Sequence, residues 1–110
     1  MTNQNQALQA LSPSEVIDLL QQQLYQQIQL NQSYQIDEAM DLAQSTAELA
    51  DYIKKHQLLD RPEFADQSKN IKSLYAQLEI TIDAARQEIS DKLQEISVAK
   101  KTLNAYRHST

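Results

Sequence analysis

Two histidines, one cluster of acids and the hydroxyl residues are the groups in this chain with the means to do chemistry. A helix-borne metal site needs His or carboxylate ligands three or four residues apart, as in HExxH or ExxH. His56 and His108 lie in neither pattern, because Ile53 and Ala105 occupy the positions three residues before them. Both read as solvated residues at helix ends. Asp37, Glu38 and Asp41 gather at one helix start, but no twelve-residue calcium loop with its central Gly surrounds them. They read as a solvated face. The Ser and Thr residues have no His in a local motif to activate them. The chain has no Gly, which excludes a P-loop and a GxGxxG turn, since both bring backbone against phosphate without a Cβ. It has no Cys, which excludes a thiolate nucleophile, a disulfide framework and a Cys-based zinc site. The expectation is a non-enzyme with no cofactor and no metal.

The elements that remain must be helices. The chain has 110 residues, about one small domain. Its composition is 41% hydrophobic and 5% aromatic, so the core has to come from Leu, Ile and Ala. Gln, Leu and Ala are abundant helix formers, and Pro occurs twice. No apolar run approaches the 18 residues of a membrane span, and no insertion into a membrane is expected. The start, Met1 to Gln6, has neither a basic region nor an apolar run. The expected location is cytoplasmic.

Charge is divided along the chain. Residues 1–53 hold seven acids and no Lys or Arg, for a net of −7. The remainder holds ten basic residues and eight acids, for +2. After Glu95 come only Lys100, Lys101 and Arg107. Two readings stand: an acidic hairpin packed on a more basic helix, or a basic C-terminal tail that docks on an acidic partner. The acidic total of −5 and the lack of a basic face with aromatics argue against nucleic acid.

Residues 1–11 are polar and read as a flexible arm or a loose turn. Ser12-Pro13-Ser14-Glu15 is a capping box with Pro at the first helical position. It opens a helix over 12–31, with Val16, Leu20, Leu24 and Ile28 on one stripe and Gln filling much of the rest. A second helix over 36–56 has acids in its first turn and Lys54-Lys55-His56 in its last. Its buried side is expected to carry Ile36, Met40, Ala43, Ala47, Ala50 and either Leu49 or Ile53. Asp60-x-x-Glu63 and Pro62 open a third helix over 62–106.

The third helix has a period of 3.5. Tyr75, Ile82, Ile89, Ile96 and Leu103 are spaced by sevens, and Phe64, Ile71, Leu78, Ala85, Lys92, Ala99 and Tyr106 form the second row. This is a coiled-coil seam of about six heptads, flanked by Leu74 and Leu93 and interrupted by Lys92. The fold class is all-α: an antiparallel helical hairpin packed on one long C-terminal amphipathic helix, a three to four helix bundle without strands. Helices of about 20 residues reach roughly 30 Å, and one of about 44 reaches roughly 65 Å. The hairpin therefore covers only about half of the third helix. The seam from Ile89 to Tyr106 must meet a second copy of the chain, a client, or its own last turns folded back at a break. Tyr75 is expected in the core. Tyr106, beside Lys100, Lys101 and Arg107, has the makings of a recognition anchor.

The stretch Ile71 to Tyr106, ending Val98-Ala99-Lys100-Lys101-Thr102-Leu103-Asn104-Ala105-Tyr106, resembles the C-terminal helical region of flagellar type III export chaperones. Tyr34-Gln35-Ile36-Asp37-Glu38-Ala39-Met40 is similar to the start of that family's second helix. Arg107 stands where members often carry Gly. The resemblance implies a chaperone that holds a helical segment of a secreted flagellar protein, of filament-cap or hook-junction type, and delivers it to the export gate. It implies that Ile89, Leu93, Ile96 and Leu103 form the client groove or its cover, and that Tyr106 contacts the gate. With Lys100, Lys101 and Arg107 these make up the expected partner-binding set. A structural coiled-coil protein that homodimerises along the third helix is the alternative. So is a helical protein whose apolar face meets a surface.

Overall fold

A computed structural model describes residues 7–108 of the chain. It is all-α. Helix α1 spans Pro13–Gln32, α2 spans Ile36–Lys55, and α3 spans Ala65–His108. Short 3₁₀ turns at Leu58–Asp60 and Pro62–Phe64 connect α2 to α3. The α3 helix is continuous, so its last turns do not fold back.

The capping box forms as the sequence predicts. Ser12 Oγ accepts from the Glu15 backbone N–H at 3.2 Å, and the Glu15 carboxylate accepts from the Ser12 N–H at 3.1 Å. Hydrogen bonding from Ser12, first its backbone N–H and then its side chain, to the charged carboxylate holds the Glu15 pKa below its ordinary value of 4.5. The other helix ends solve a problem set by the missing Gly. After α1 the chain reverses at Tyr34, whose φ is 59°, and after α2 at Gln57, whose φ is 52°. Left-handed backbone costs a residue with a Cβ about 1–2 kcal/mol. Hydrogen bonds offset it: Tyr34 N–H donates to Asn31 O and Gln35 N–H to Leu30 O, closing the last turn of α1.

Helix α1 is central and packs on both α2 and α3. It runs parallel to α3: Asp18 near its start meets Gln67 (3.0 Å), and Tyr34 just past its end meets Glu88. Helix α2 returns antiparallel. Val16, Ile17, Leu20, Leu24 and Ile28 of α1 are buried against Leu49 and Ile53 of α2 and Ile71 and Leu78 of α3. The 7–11 part of the expected arm belongs to this core, because Leu8 is 3% exposed and sits in a helical stretch at residues 7–9. Residues 1–6 of that arm lie outside the described residues.

The buried face of α2 is the expected one only in part: Leu49 and Ile53 are buried, and Ile36 and Ala50 are half-buried. Met40 is 65% exposed, and Ala43 and Ala47 face solvent. Ala39 and Thr46 are buried beside Leu49 and Ile53. These follow the three-four spacing, with Leu42 half-buried between them. The polar Thr46 hid this stripe. Its hydroxyl accepts from Gln27 Nε2 at 2.8 Å across the α1–α2 interface. It also lies 2.8 Å from Leu42 O and 2.9 Å from Gln23 Oε1, either of which takes its proton. Asn31 Nδ2, also buried, donates to Gln27 O at 2.8 Å. Among the described residues no buried side-chain polar atom lacks a partner. The Gln-rich face of α1 is thus part of the interface with α2.

Candidate protein-binding face

One face of α3 is built by one row of residues under two conditions. Inside the bundle, Ile71, Leu78 and Ala85 are buried at 3%, 7% and 5% exposure against the hairpin. Seven residues further on, Lys92 is exposed, and so are Ala99 and Tyr106. The companion row goes from half-buried Ile82 to exposed Ile89, Ile96 and Leu103. Every described residue from Arg86 to Arg107 is exposed.

The division falls where the hairpin ends. Tyr34, at the hairpin tip, donates its hydroxyl proton to the Glu88 carboxylate. The Lys92 ammonium sits 6.0 Å from the centre of the Tyr34 ring. Past this point every described residue of α3 is exposed, and the molecule's long dimension is 72 Å, against 32 and 18 Å across. The apolar strip from Ile89 to Tyr106 is about 26 Å long at 1.5 Å per residue.

The structure brings most of the expected partner-binding residues onto or beside this strip. Ile89, Ile96, Leu103 and Tyr106 lie on the seam, with Tyr106 70% exposed. Leu93 and Lys100 flank it one position round the helix, as Arg107 does at its end. Lys101 is exposed on the turn beside Lys100. Tyr75, expected in the core, lies at the bundle surface with 41% exposure. Partial burial and nearby Asp51 raise its hydroxyl pKa above 10.0. The C-terminal cover that the chaperone resemblance implies is not formed over the hairpin, since α3 runs straight past its tip.

Sequence reasoning missed the anchoring role of Tyr34. The signal was its place at a helix break 54 residues before an acid on the long helix, which pattern alone does not pair. His56 is exposed, and its ring stacks obliquely on Tyr52 with centroids 4.3 Å apart. The side chain of His108 lies outside the described ones. Among the described residues no three His, Cys, Asp or Glu side chains gather as a metal site, and no helix is long and apolar enough to cross a membrane. The surface depressions are open grooves, such as the one lined by Gln21, Gln22, Tyr25, Gln26, Asn70 and Leu74 between α1 and α3. The sequence matches no family model and no curated protein, and the structure matches no solved structure.

Proposed function

We propose that the chain is a helical binding protein whose α3 strip, Ile89 to Tyr106, receives a helical segment of a partner. The specific reading is a cytoplasmic export chaperone. It holds a helix of a secreted flagellar protein of cap or hook-junction type and carries it to the type III export gate. One observation carries the binding reading: a seam whose Ile71–Leu78–Ala85 row is core continues, in register and exposed, for three more heptads. An apolar face of that length on a lone helix is what helix-on-helix recognition uses, with anchors three and four residues apart. Leu103 and Tyr106 would supply burial, and Lys100, Lys101 and Arg107 would favour an acidic partner or gate surface. The flagellar assignment is supported only by the resemblance of Ile71 to Tyr106 and of Tyr34 to Met40.

The test is affinity capture from a flagellated lysate with the intact chain and with Leu103→Asp, read by mass spectrometry. Recovery of a flagellar cap or hook-junction protein by the intact chain, and its loss with Leu103→Asp, is expected. Recovery of no secreted helical protein, or equal recovery by both baits, would sink the chaperone reading.

A further inference from the structure

We infer that in the absence of any other partner the strip is covered by a second copy of the same strip, running antiparallel, with the two-fold axis between Ser97 and Val98. The argument starts from register. Antiparallel helices with 3.5-residue seams place each residue of one row against a residue of the other row on the facing helix. Setting Ile96 against the second copy's Ala99 also sets Lys92 against Leu103 and Ile89 against Tyr106. Each pair is centred on the same point, so all six seam positions of the exposed segment are used once, and the pairing is its own mirror under a two-fold. Large residues face small ones at the centre, and the interrupting Lys92 meets Leu103 rather than another charge. Leu93 falls beside the second copy's Lys100, whose aliphatic stem covers it.

Length and shape point the same way. The second copy's α3 ends opposite Ile89 and the turn before it, where Tyr34 and Glu88 close the hairpin tip. As far as His108 it therefore fills the uncovered seam up to the hairpin tip. A parallel second copy fails on this ground. Its residues before Ile89 would run along the side of α3 where Ala85 is already buried under the hairpin. A parallel pair would also put Lys92 on Lys92. Arg86 and Arg107 approach at the two open ends, where water screens them.

The resulting dimer is a dumbbell, two hairpin bundles joined by a two-helix shaft. Its length is on the order of 100 Å, since each α3 extends about 49 Å from the axis to Ala65. This inference does not need the client reading. If both hold, a client helix displaces the second copy from the same strip.

The experiment uses the full chain, which has no Cys of its own. Single variants Ile89→Cys and Tyr106→Cys are oxidised alone and as an equimolar mixture, beside sedimentation equilibrium and small-angle scattering of the parent chain. A concentration-dependent dimer about 100 Å long, with cross-linking in the mixture and little in either variant alone, is expected. Ile96→Asp, at a position exposed in the single chain, should weaken the dimer at least about 30-fold while leaving helix content unchanged. A chain that stays monomeric at high micromolar concentration overturns the inference. So does efficient cross-linking of each single variant with itself, which is the parallel signature. A monomer that still captures a flagellar protein would remove this inference alone, and a dimer that captures none would remove only the chaperone reading.

Discussion

The Tyr34 hydroxyl donates to the Glu88 carboxylate, tying the tip of the α1–α2 hairpin to the last point at which α3 is held. The same ring lies under Lys92, one turn further along α3. The hydrogen bond, then desolvation and the carboxylate's charge, raise the Tyr34 hydroxyl above its ordinary pKa of 10.0. Its contribution is thus complete below about pH 10 and is lost as pH rises through the raised value. Tyr34→Phe should speed amide exchange over residues 86–92 without changing exchange at Leu20 or Leu24. Raising the pH of the parent chain past the tyrosine range should have the same local effect. Unaltered exchange at 86–92 in the variant would show that the tip does not hold α3.

The α1–α2 interface turns on a buried polar pair. Thr46→Val removes the acceptor of Gln27 Nε2, which is then buried without a partner. That should cost about 1–3 kcal/mol in chemical denaturation. Replacing both partners, Gln27→Leu with Thr46→Val, should recover much of the loss, because no orphan donor remains. A double variant as unstable as the sum of the two singles would show that the pair is not coupled.

This pair also marks where pattern reading stopped. The α1 stripe, the capping box and the seam were legible because each is a repeated spacing of one residue class. The α2 face was misread in part because Thr46 counts as polar in any pattern, while Met40 and Ala43 count as apolar. The burial of Thr46 depends on Gln27, 19 residues earlier, and no local window contains both. The candidate strip was legible from length alone, since two short helices cannot cover a long one. The point at which cover ends was not, because it is set by the Tyr34–Glu88 contact.

The absence of Gly leaves a correctable strain. Gln57 holds a φ of 52° at the end of α2 and is exposed, with its N–H donating to Lys54 O. Gln57→Gly keeps that bond and removes the Cβ conflict. It should raise stability by about 1 kcal/mol, read as a higher denaturation midpoint at unchanged slope. A neutral or lower midpoint would mean that the entropy Gly adds to the unfolded chain outweighs the relief.

The start of α1 should make stability fall in acid. The folded-state pKa of Glu15 is depressed by its bonds to Ser12. The associated stability is present above the ordinary value of 4.5 and is lost as pH falls through the depressed one. Ser12→Ala should cost about 1 kcal/mol at neutral pH and remove this part of the acid dependence. An identical pH profile in parent and variant would place the acid sensitivity elsewhere.

Bundle stability and partner binding should separate along α3. Among the described residues, all of the buried α3 side chains lie at or before Ala85, and the tip contact is at Glu88. A chain ending at Glu88 keeps both, so at concentrations where the full chain is monomeric its hairpin core should unfold at the same denaturant concentration as that of the full chain. Leu24→Ala, at a position with no exposed surface, should cost about 2–5 kcal/mol in either length of chain. Ile96→Ala in the full chain should change monomer stability by less than about 0.5 kcal/mol. Its effect should fall instead on association, whether with a second copy or with a client. Were the Glu88-terminated chain to unfold at a much lower denaturant concentration, residues 89–106 would be supporting their own bundle. The strip would then be part of the fold rather than a face kept for a partner.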